Sequence, residues 1–389
     1  MKQFTLSFLD IIKELKLQRK KMLITMHRYL DGDAFGSALA LGLMLRKLKV
    51  ESTLICVPFI PDKFQFLRHI SKLHVVEPRH LGQEDNQGYY TRSLQDHFSD
   101  KIKDYGALAI LDCAGFGQVP KEVWTIGRQI PHVINIDHHM GYTLDNPENR
   151  ILNLVMNCSS TCEVLFHLMQ GMSIEIDQEI ALPLYIGIHA DLRKNAISTD
   201  SSQYPKNIIH GLKHQIRRMS SEIQKQIKDI FSLDPWEKQL LEIAMSRIRH
   251  AGNIVYASFD PKMVLKAKQE TDSLDNPRMP FHEFHIRLRQ KLYQLKKKFQ
   301  IVVIFDQILS KISLYDLHKE HTIDLAAICR ELGDGGGHPN RAGLSFQTAR
   351  EKLIATHMID SRDTEDVVIE IVVHFIKKRI SEMAGEKST

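Results

Sequence analysis

Three apolar, strand-like runs in this chain each end on an aspartate or a histidine, and that repetition limits the folds it can adopt. Met22-Leu23-Ile24-Thr25-Met26 leads into His27-Arg28-Tyr29-Leu30-Asp31-Gly32-Asp33, one imidazole and two carboxylates within seven residues. Gly106 to Leu111 stops on Asp112, and Pro131 to Ile136 stops on Asp137-His138-His139. Near-continuous apolar runs suit strands buried on both faces, as in parallel sheets. After the first run, Ala34 to Leu48 (AFGSALALGLMLRKL) has a wide apolar face and good helix formers, the mark of a strand–helix–strand unit. Parallel strands joined by helices place their carboxyl ends on one edge, where open α/β sheets bind ligands. One such loop alone reads as a helix cap beside a solvated charge. Acids and imidazoles at the same topological position on three strands point instead to a metal site, with nitrogen and carboxylate donors suited to manganese, magnesium or zinc. A fourth candidate, Asp191, follows the apolar segment Ile180 to Ile188; alone it reads equally well as a solvated acid at a helix end.

The 389 residues suggest two or more domains. An apolar fraction of 43% and a charged fraction of 25% are ordinary for a soluble protein. A net charge of +5 permits an acidic, phosphorylated substrate without demanding a long nucleic acid. The five cysteines (56, 113, 158, 162 and 329) lack zinc-type pairing and read as reduced core thiols of a cytoplasmic protein. The first 21 residues read as an amphipathic helix, not a signal peptide, and no apolar run approaches the ~20 residues needed to cross a bilayer. No membrane partner is expected.

In order and spacing these motifs resemble those of the DHH-superfamily phosphoesterases. HRYLDGDAFGS is similar to the family's His-x-x-x-Asp-x-Asp-Ala-x-Gly-Ser pattern; the lone Asp of ILDCAG, the Asp-His-His of NIDHHMGY and the GIHAD around Asp191 follow in order. Far downstream, ELGDGGGHPNRAG resembles the signature of the associated carboxy-terminal domain of oligoribonuclease/pAp-phosphatase, cyclic-dinucleotide-cleaving and RecJ-like members. The resemblance spans about residues 20 to 345. Chemically, Asp112 suits a bridge between two cations about 3.5–4 Å apart, whose shared water loses a proton readily and attacks phosphorus in line. The resemblance implies two manganese ions, with magnesium as the alternative. His27, Asp31 and Asp112 would hold the first, and Asp33, Asp112, His138 and Asp191 the second. It makes Asp137 the orienting partner of an imidazole. His139 becomes a contact to the scissile phosphate or leaving oxygen, the alternative being a packed partner of His138.

The expected architecture is α/β: a parallel-sheet catalytic domain with flanking helices over 1–204, a helical connector over 205–250, a smaller mixed α+β substrate-binding domain over 251–345, and a carboxy-terminal extension over 346–389. Residues 78–100 read as a polar surface insertion. Gly335, Gly336, Gly337 and His338 read as a loop whose backbone forms an anion nest, with Arg341 pairing with phosphate. A cleft between the domains would suit a short substrate end. The basic helix Phe284 to Phe299 offers charge for nucleic-acid phosphates, but reads more often as a solvated face with Ile286, Leu288, Leu292, Leu295 and Phe299 turned inward.

Three departures bear on substrate. Leu192-Arg193-Lys194-Asn195 replaces the threonine and aromatic residue usual after the fourth motif, Tyr315 stands where arginine is common, and Asp334 where glycine is common. The leading expectation is therefore a two-metal phosphoesterase acting on short RNA or small nucleotides such as pAp and linear or cyclic dinucleotides. No long duplex is expected, and a homodimer is compatible. A nucleotide-sensing module with reduced turnover is the alternative. A pyrophosphatase or exopolyphosphatase is disfavoured because those relatives carry a different second domain.

Overall fold

The structure, a computed structural model, describes residues 1–28, 30–57, 59–78, 93–141, 143–145, 151–195, 203–271, 282–318 and 323–386. The chain divides into two compact units, Met1–Phe231 and Ser232–Thr389.

The first unit is built on six parallel strands: β1 (Lys21–Met26), β2 (Ser52–Ile55), β3 (His74–Val76), β4 (Tyr105–Leu111), β5 (His132–Asp137) and β6 (Ile151–Val155). Their spatial order is β3-β2-β1-β4-β5-β6. The chain steps outward from β1 to β3, then returns to the other side of β1, so the order reverses between β1 and β4. A ligand site is expected at that switch point. Alternate side chains of one strand face opposite layers: Met22, Ile24, Ala107, Ala109 and Leu111 enter one apolar cluster, and Leu23, Leu108 and Ile110 the other. These strand residues are almost fully buried, each large one contributing about 1.5–3 kcal/mol.

The first cluster is covered by α1 (Lys2–Gln18), α2 (Gly32–Lys47), α6 (Thr161–Gly171) and α7 (Gln178–Asn195), and extended by α3 (Asp62–Ser71), α8 (Gln203–Ile216) and α9 (Ser221–Ile230). The second is covered by α4 (Leu94–Phe98) and α5 (Lys121–Gly127). Helix α1 buries Phe4, Phe8, Ile12 and Leu15, the stripe expected from the sequence. Of the proposed insertion 78–100, residues 79–92 lie outside the described residues, but Leu94 and Phe98 are buried in the core after a Ser93–Asp96 capping box. Strand β6, which the sequence reading did not identify, pairs with β5.

Helices α2 and α7 meet unusually closely. A Cβ on Gly36 would lie 2.6 Å from the Pro183 carbonyl oxygen, and one on Gly187 would lie 2.2 Å from Cys162 Sγ and 2.9 Å from Asp33 Oδ1. Side chains at either position would force the helices apart.

The second unit holds a mixed sheet of β7 (Arg249–Ala251), β8 (Ile254–Phe259), β9 (Ile301–Asp306), β10 (Lys311–Asp316), β11 (Gly336–His338) and β12 (Arg341–Ser345), ordered β11-β12-β10-β9-β8-β7. Only β8 and β9 run parallel. On one face lie α10 (Pro235–Ser246), α11 (Pro261–Glu270) and α12 (His282–Tyr293); on the other lie α13 (Leu325–Leu332), α14 (Phe346–Ala355) and α15 (Glu365–Glu386). The helices of residues 205–250 are thus shared, α8 and α9 with the first unit and α10 with the second. Residues 346–386 contribute Phe346, Val368, Val372 and Ile376 to the second core. No described helix is long and apolar enough to cross a membrane. All five cysteines are free thiols.

Candidate metal centre

The expected donors converge at the carboxyl ends of β1, β4 and β5. Asp31 caps α2: its Oδ1 accepts from the backbone N–H of Asp33 and of Ala34, both at 3.0 Å. The other oxygen, Oδ2, stands 3.8 Å from His27 Nε2. The cap thus occupies one oxygen of the carboxylate, and the other faces the imidazole. Asp33, read from sequence as part of the loop, sits in the first turn of α2, because the cap at Asp31 starts the helix two residues earlier.

Asp33 is fully buried and held by the start of α6. Thr161 N–H donates to its Oδ2 at 2.6 Å and Cys162 N–H to its Oδ1 at 2.9 Å. A helix amino terminus favours an anion there. Thr161 also donates its hydroxyl to Asp112 Oδ1 at 3.1 Å. From sequence this helix start was assigned no part in the site; Ser160-x-x-Glu163, a helix-start signature, was the available signal.

Asp112 faces two groups at once. Its Oδ2 is 3.4 Å from His27 Nε2, and its Oδ1 is 3.5 Å from His138 Nε2. It adopts φ 55°, a left-handed conformation sparsely used by non-glycine residues and frequent at functional sites. Its N–H continues the ladder to the Ile136 carbonyl, which fixes the strained residue at the strand end. His138 Nδ1 donates to the Cys158 carbonyl at 3.3 Å, leaving Nε2 as an acceptor toward the acids. Nε2 lies 3.4 Å from Asp191 Oδ2 and 4.0 Å from Asp33 Oδ2. Asp191 comes from within α7, not from a strand end, and the close α2–α7 packing brings it beside Asp33.

Two donor sets result: His27, Asp31 and Asp112, and Asp33, His138 and Asp191, with the ligand atoms of each set within 4.8 Å of one another. Asp112, Asp137, His138 and His139 form an overlapping third set. Asp137 Oδ1 accepts from His138 N–H, His139 N–H and His139 Nδ1, the last at 2.8 Å. Its buried Oδ2 has no hydrogen-bond partner.

The electrostatics match the donor chemistry of a cation site. Burial, then the charges of Asp112, Asp191 and Asp31, push the Asp33 carboxyl well above the usual carboxylate range. Burial also opposes ionisation of Asp112, but its contact with His27 outweighs that and holds it low. His139 is lowered by burial but raised more by Asp137, and ends above the ordinary imidazole value. Crowded buried carboxylates are costly unless paired or bound to metal. Nitrogen and oxygen donors, an orphaned buried carboxylate oxygen and the 3.4–4.0 Å separations all fit divalent ions.

The other sequence candidates lie in the second unit. Gly335 precedes, and Gly336, Gly337 and His338 form, the edge strand β11, paired with β12 through Gly336–Gly343, Gly337–Ala342 and His338–Arg341. The sequence reading of a loop is thus corrected: two of the glycines serve close packing. Gly337 has φ 133°, and a Cβ there would lie 2.5 Å from the Arg341 carbonyl oxygen; one on Gly335 would lie 2.6 Å from Leu344 Cβ. Gly336 faces open space. The His338 side chain lies outside the described part of the structure. Arg341 lies over the Tyr315 ring with its guanidinium carbon 5.9 Å from the centroid, and Arg289 lies over the same ring at 5.3 Å. Burial raises the Tyr315 pKa, but Arg289, Arg341 and Lys311 together bring it down to about 8. Arg289, expected on a solvated face, is buried; Phe284, Ile286, Leu288 and Leu292 are buried, as the apolar pattern indicates. In the altered fourth motif, Arg193 donates to the Phe231 carbonyl at 3.1 Å and packs over its ring.

The DHH family, N-terminal domain, matches residues 21–188. Among solved structures, an exopolyphosphatase-related protein from Bacteroides fragilis aligns at 19% identity over 99% of this chain and 98% of its own, with a TM-score of 0.67, a likeness of fold. RecJ from Thermus thermophilus, in complex with Mn2+, aligns at 14% identity over 90% of this chain and 54% of its own, with a TM-score of 0.47. A pGpG-specific phosphodiesterase from Vibrio cholerae aligns at 10% identity over 87% and 99%, with a TM-score of 0.33. No curated protein matches the sequence. Residues 21–188, which match the DHH family, N-terminal domain, carry all of these donors except Asp191, which lies just beyond the match on α7.

Proposed function

We propose that this protein is a two-metal phosphoesterase, with manganese the favoured ion and magnesium the alternative, that hydrolyses short oligoribonucleotides or small phosphorylated nucleotides. The observation that carries the reading is Asp112, whose two oxygens each face a different imidazole. His27, Asp31 and Asp112 would hold one cation, and Asp33, Asp112, His138 and Asp191 the other. When bound, divalent cations at these residues would supply charge neutralisation at the phosphoryl oxygens and make a coordinated water more acidic. The chain's own residues do the rest. The Cys158 carbonyl fixes the His138 ring by its Nδ1 proton. Asp137 fixes His139 by Nδ1, so the half-exposed His139 ring would use its Nε2 to contact the scissile phosphate or the leaving oxygen. The positive cluster of Arg289, Arg341 and Lys311 around Tyr315 supports recognition of a phosphate in the second unit, with Arg341 paired in the sheet to His338 of the edge strand that Gly335 leads into.

The test is hydrolysis of a labelled dinucleotide and of pAp with manganese, by wild type and Asp112→Asn, with pyrophosphate and polyphosphate alongside. Cleavage by wild type that fails in the variant is expected. Nucleotide binding without cleavage would favour a sensing module. Faster phosphate release from pyrophosphate or polyphosphate would move the substrate class.

A further inference from the structure

We propose that Cys158, Glu163 and His167 form a separate binding site for one soft or borderline divalent cation of the zinc and cadmium class. Glu163 and His167 stand one turn apart on α6, a spacing that puts both side chains on one face. Glu163 Oε1 is 3.7 Å from His167 Nε2. Cys158 enters from the segment ahead of the helix, and the three donor atoms lie within 4.8 Å of one another. With metal–sulfur distances of about 2.3 Å and metal–nitrogen or metal–oxygen distances of about 2.0–2.1 Å, tetrahedral donors stand roughly 3.3–3.6 Å apart. Closing the set therefore needs a shift of about 1 Å. The thiol and imidazole, both at partly exposed positions, have room to make it.

Glu163 is already oriented. Its Oε2 accepts from Ser159 N–H at 2.7 Å and from the Ser159 hydroxyl at 2.6 Å, which leaves Oε1 toward His167. A plain helical Glu–His pair accounts for two of the donors. The thiol, arriving from outside the helix, completes a chelate and leaves a fourth position for solvent, as in open three-ligand sites. A sulfur donor distinguishes this set from the nitrogen and oxygen donors of the main centre, because thiolate selects softer ions than carboxylate does. The two sites are adjacent through the backbone, since the carbonyl of Cys158 is the acceptor for His138 Nδ1.

The experiment is titration of the full-length protein with cadmium ion in the presence of excess manganese, following the ultraviolet thiolate-to-cadmium charge-transfer band. The expected result is one band saturating at one equivalent per chain and lost in Cys158→Ser. His167→Ala keeps all five thiols and is expected to weaken binding by at least about tenfold. A band unchanged in Cys158→Ser, or an affinity unmoved in His167→Ala, overturns the site. If Cys158→Ser does not fold, His167→Ala decides alone.

Discussion

In the first unit, negative charge is buried and held from several directions. Asp31 is tied to the start of α2, Asp33 to the start of α6, and Asp112 to a strained strand end beside β5. In the second unit, positive charge surrounds a tyrosine ring on β10, two strands in from an edge strand that is paired on one side only. Parallel strands with covered faces fix donor positions before any ligand arrives, which suits chemistry needing sub-ångström placement. A one-sided edge rich in glycine keeps backbone groups open to a ligand and specifies less. The contrast teaches that the two halves should fail differently when altered.

The largest effect should come from Asp112→Asn. Asparagine tolerates the left-handed backbone, so the fold should hold while phosphoesterase turnover falls by roughly 10³-fold or more. Arg341→Gln in the second unit should instead raise KM by about tenfold with a smaller change in kcat. Steady-state kinetics on a dinucleotide would show it, and equal kcat losses in both variants would break the contrast.

Metal should also act on stability through the first unit. The folded state raises the Asp33 pKa, so between the ordinary carboxylate value and that raised value the native state binds more protons than the unfolded chain. Stability of the metal-free protein should therefore fall as pH rises through that window. Manganese at about 100 times its Kd should add about 2.7 kcal/mol, a rise in Tm of roughly 5–10 °C for a domain of this size. Thermal melts across pH, with and without manganese, measure both, and a pH-flat, metal-insensitive melt would remove the crowded-acid argument.

The first unit was the more legible in sequence for a physical reason. Buried parallel strands must be apolar, so acids at 31, 33, 112 and 137 stand out against their runs, and the helices between them dictate a common edge. Asp191 was legible only as a position; the glycine contacts that bring α7 against α2 are tertiary. Thr161 was missed because its role is to satisfy a carboxylate 128 residues away. In the second unit, Gly335 to His338 read as a loop because glycine is a poor strand former. The structure makes strand there because Gly337 must pass close to Arg341 and Ala342. Arg289 was hidden by helical patterning that marks the basic positions as solvent-facing, whereas the Tyr315 ring gives its guanidinium a buried surface to cover.

Two smaller tests sharpen the second half. Gly337→Ala should cost about 1–3 kcal/mol in urea unfolding because of its backbone angle and its contact, while Gly336→Ala, facing open space, should cost under about 1 kcal/mol; equal costs would argue against the strand geometry. The Tyr315 phenol should ionise near its lowered value of about 8, as an ultraviolet difference signal absent from Tyr315→Phe. In Arg289→Gln the transition should move up toward the ordinary 10.0, and an unmoved transition would dissociate the arginine from the ring.

The divided duty of Asp31 carries an evolutionary consequence. A serine at that position would still cap α2 while surrendering a donor. A lineage drifting that way would keep a sound, well-folded domain and shed its chemistry silently, so an intact fold among descendants is no testimony that the reaction survives.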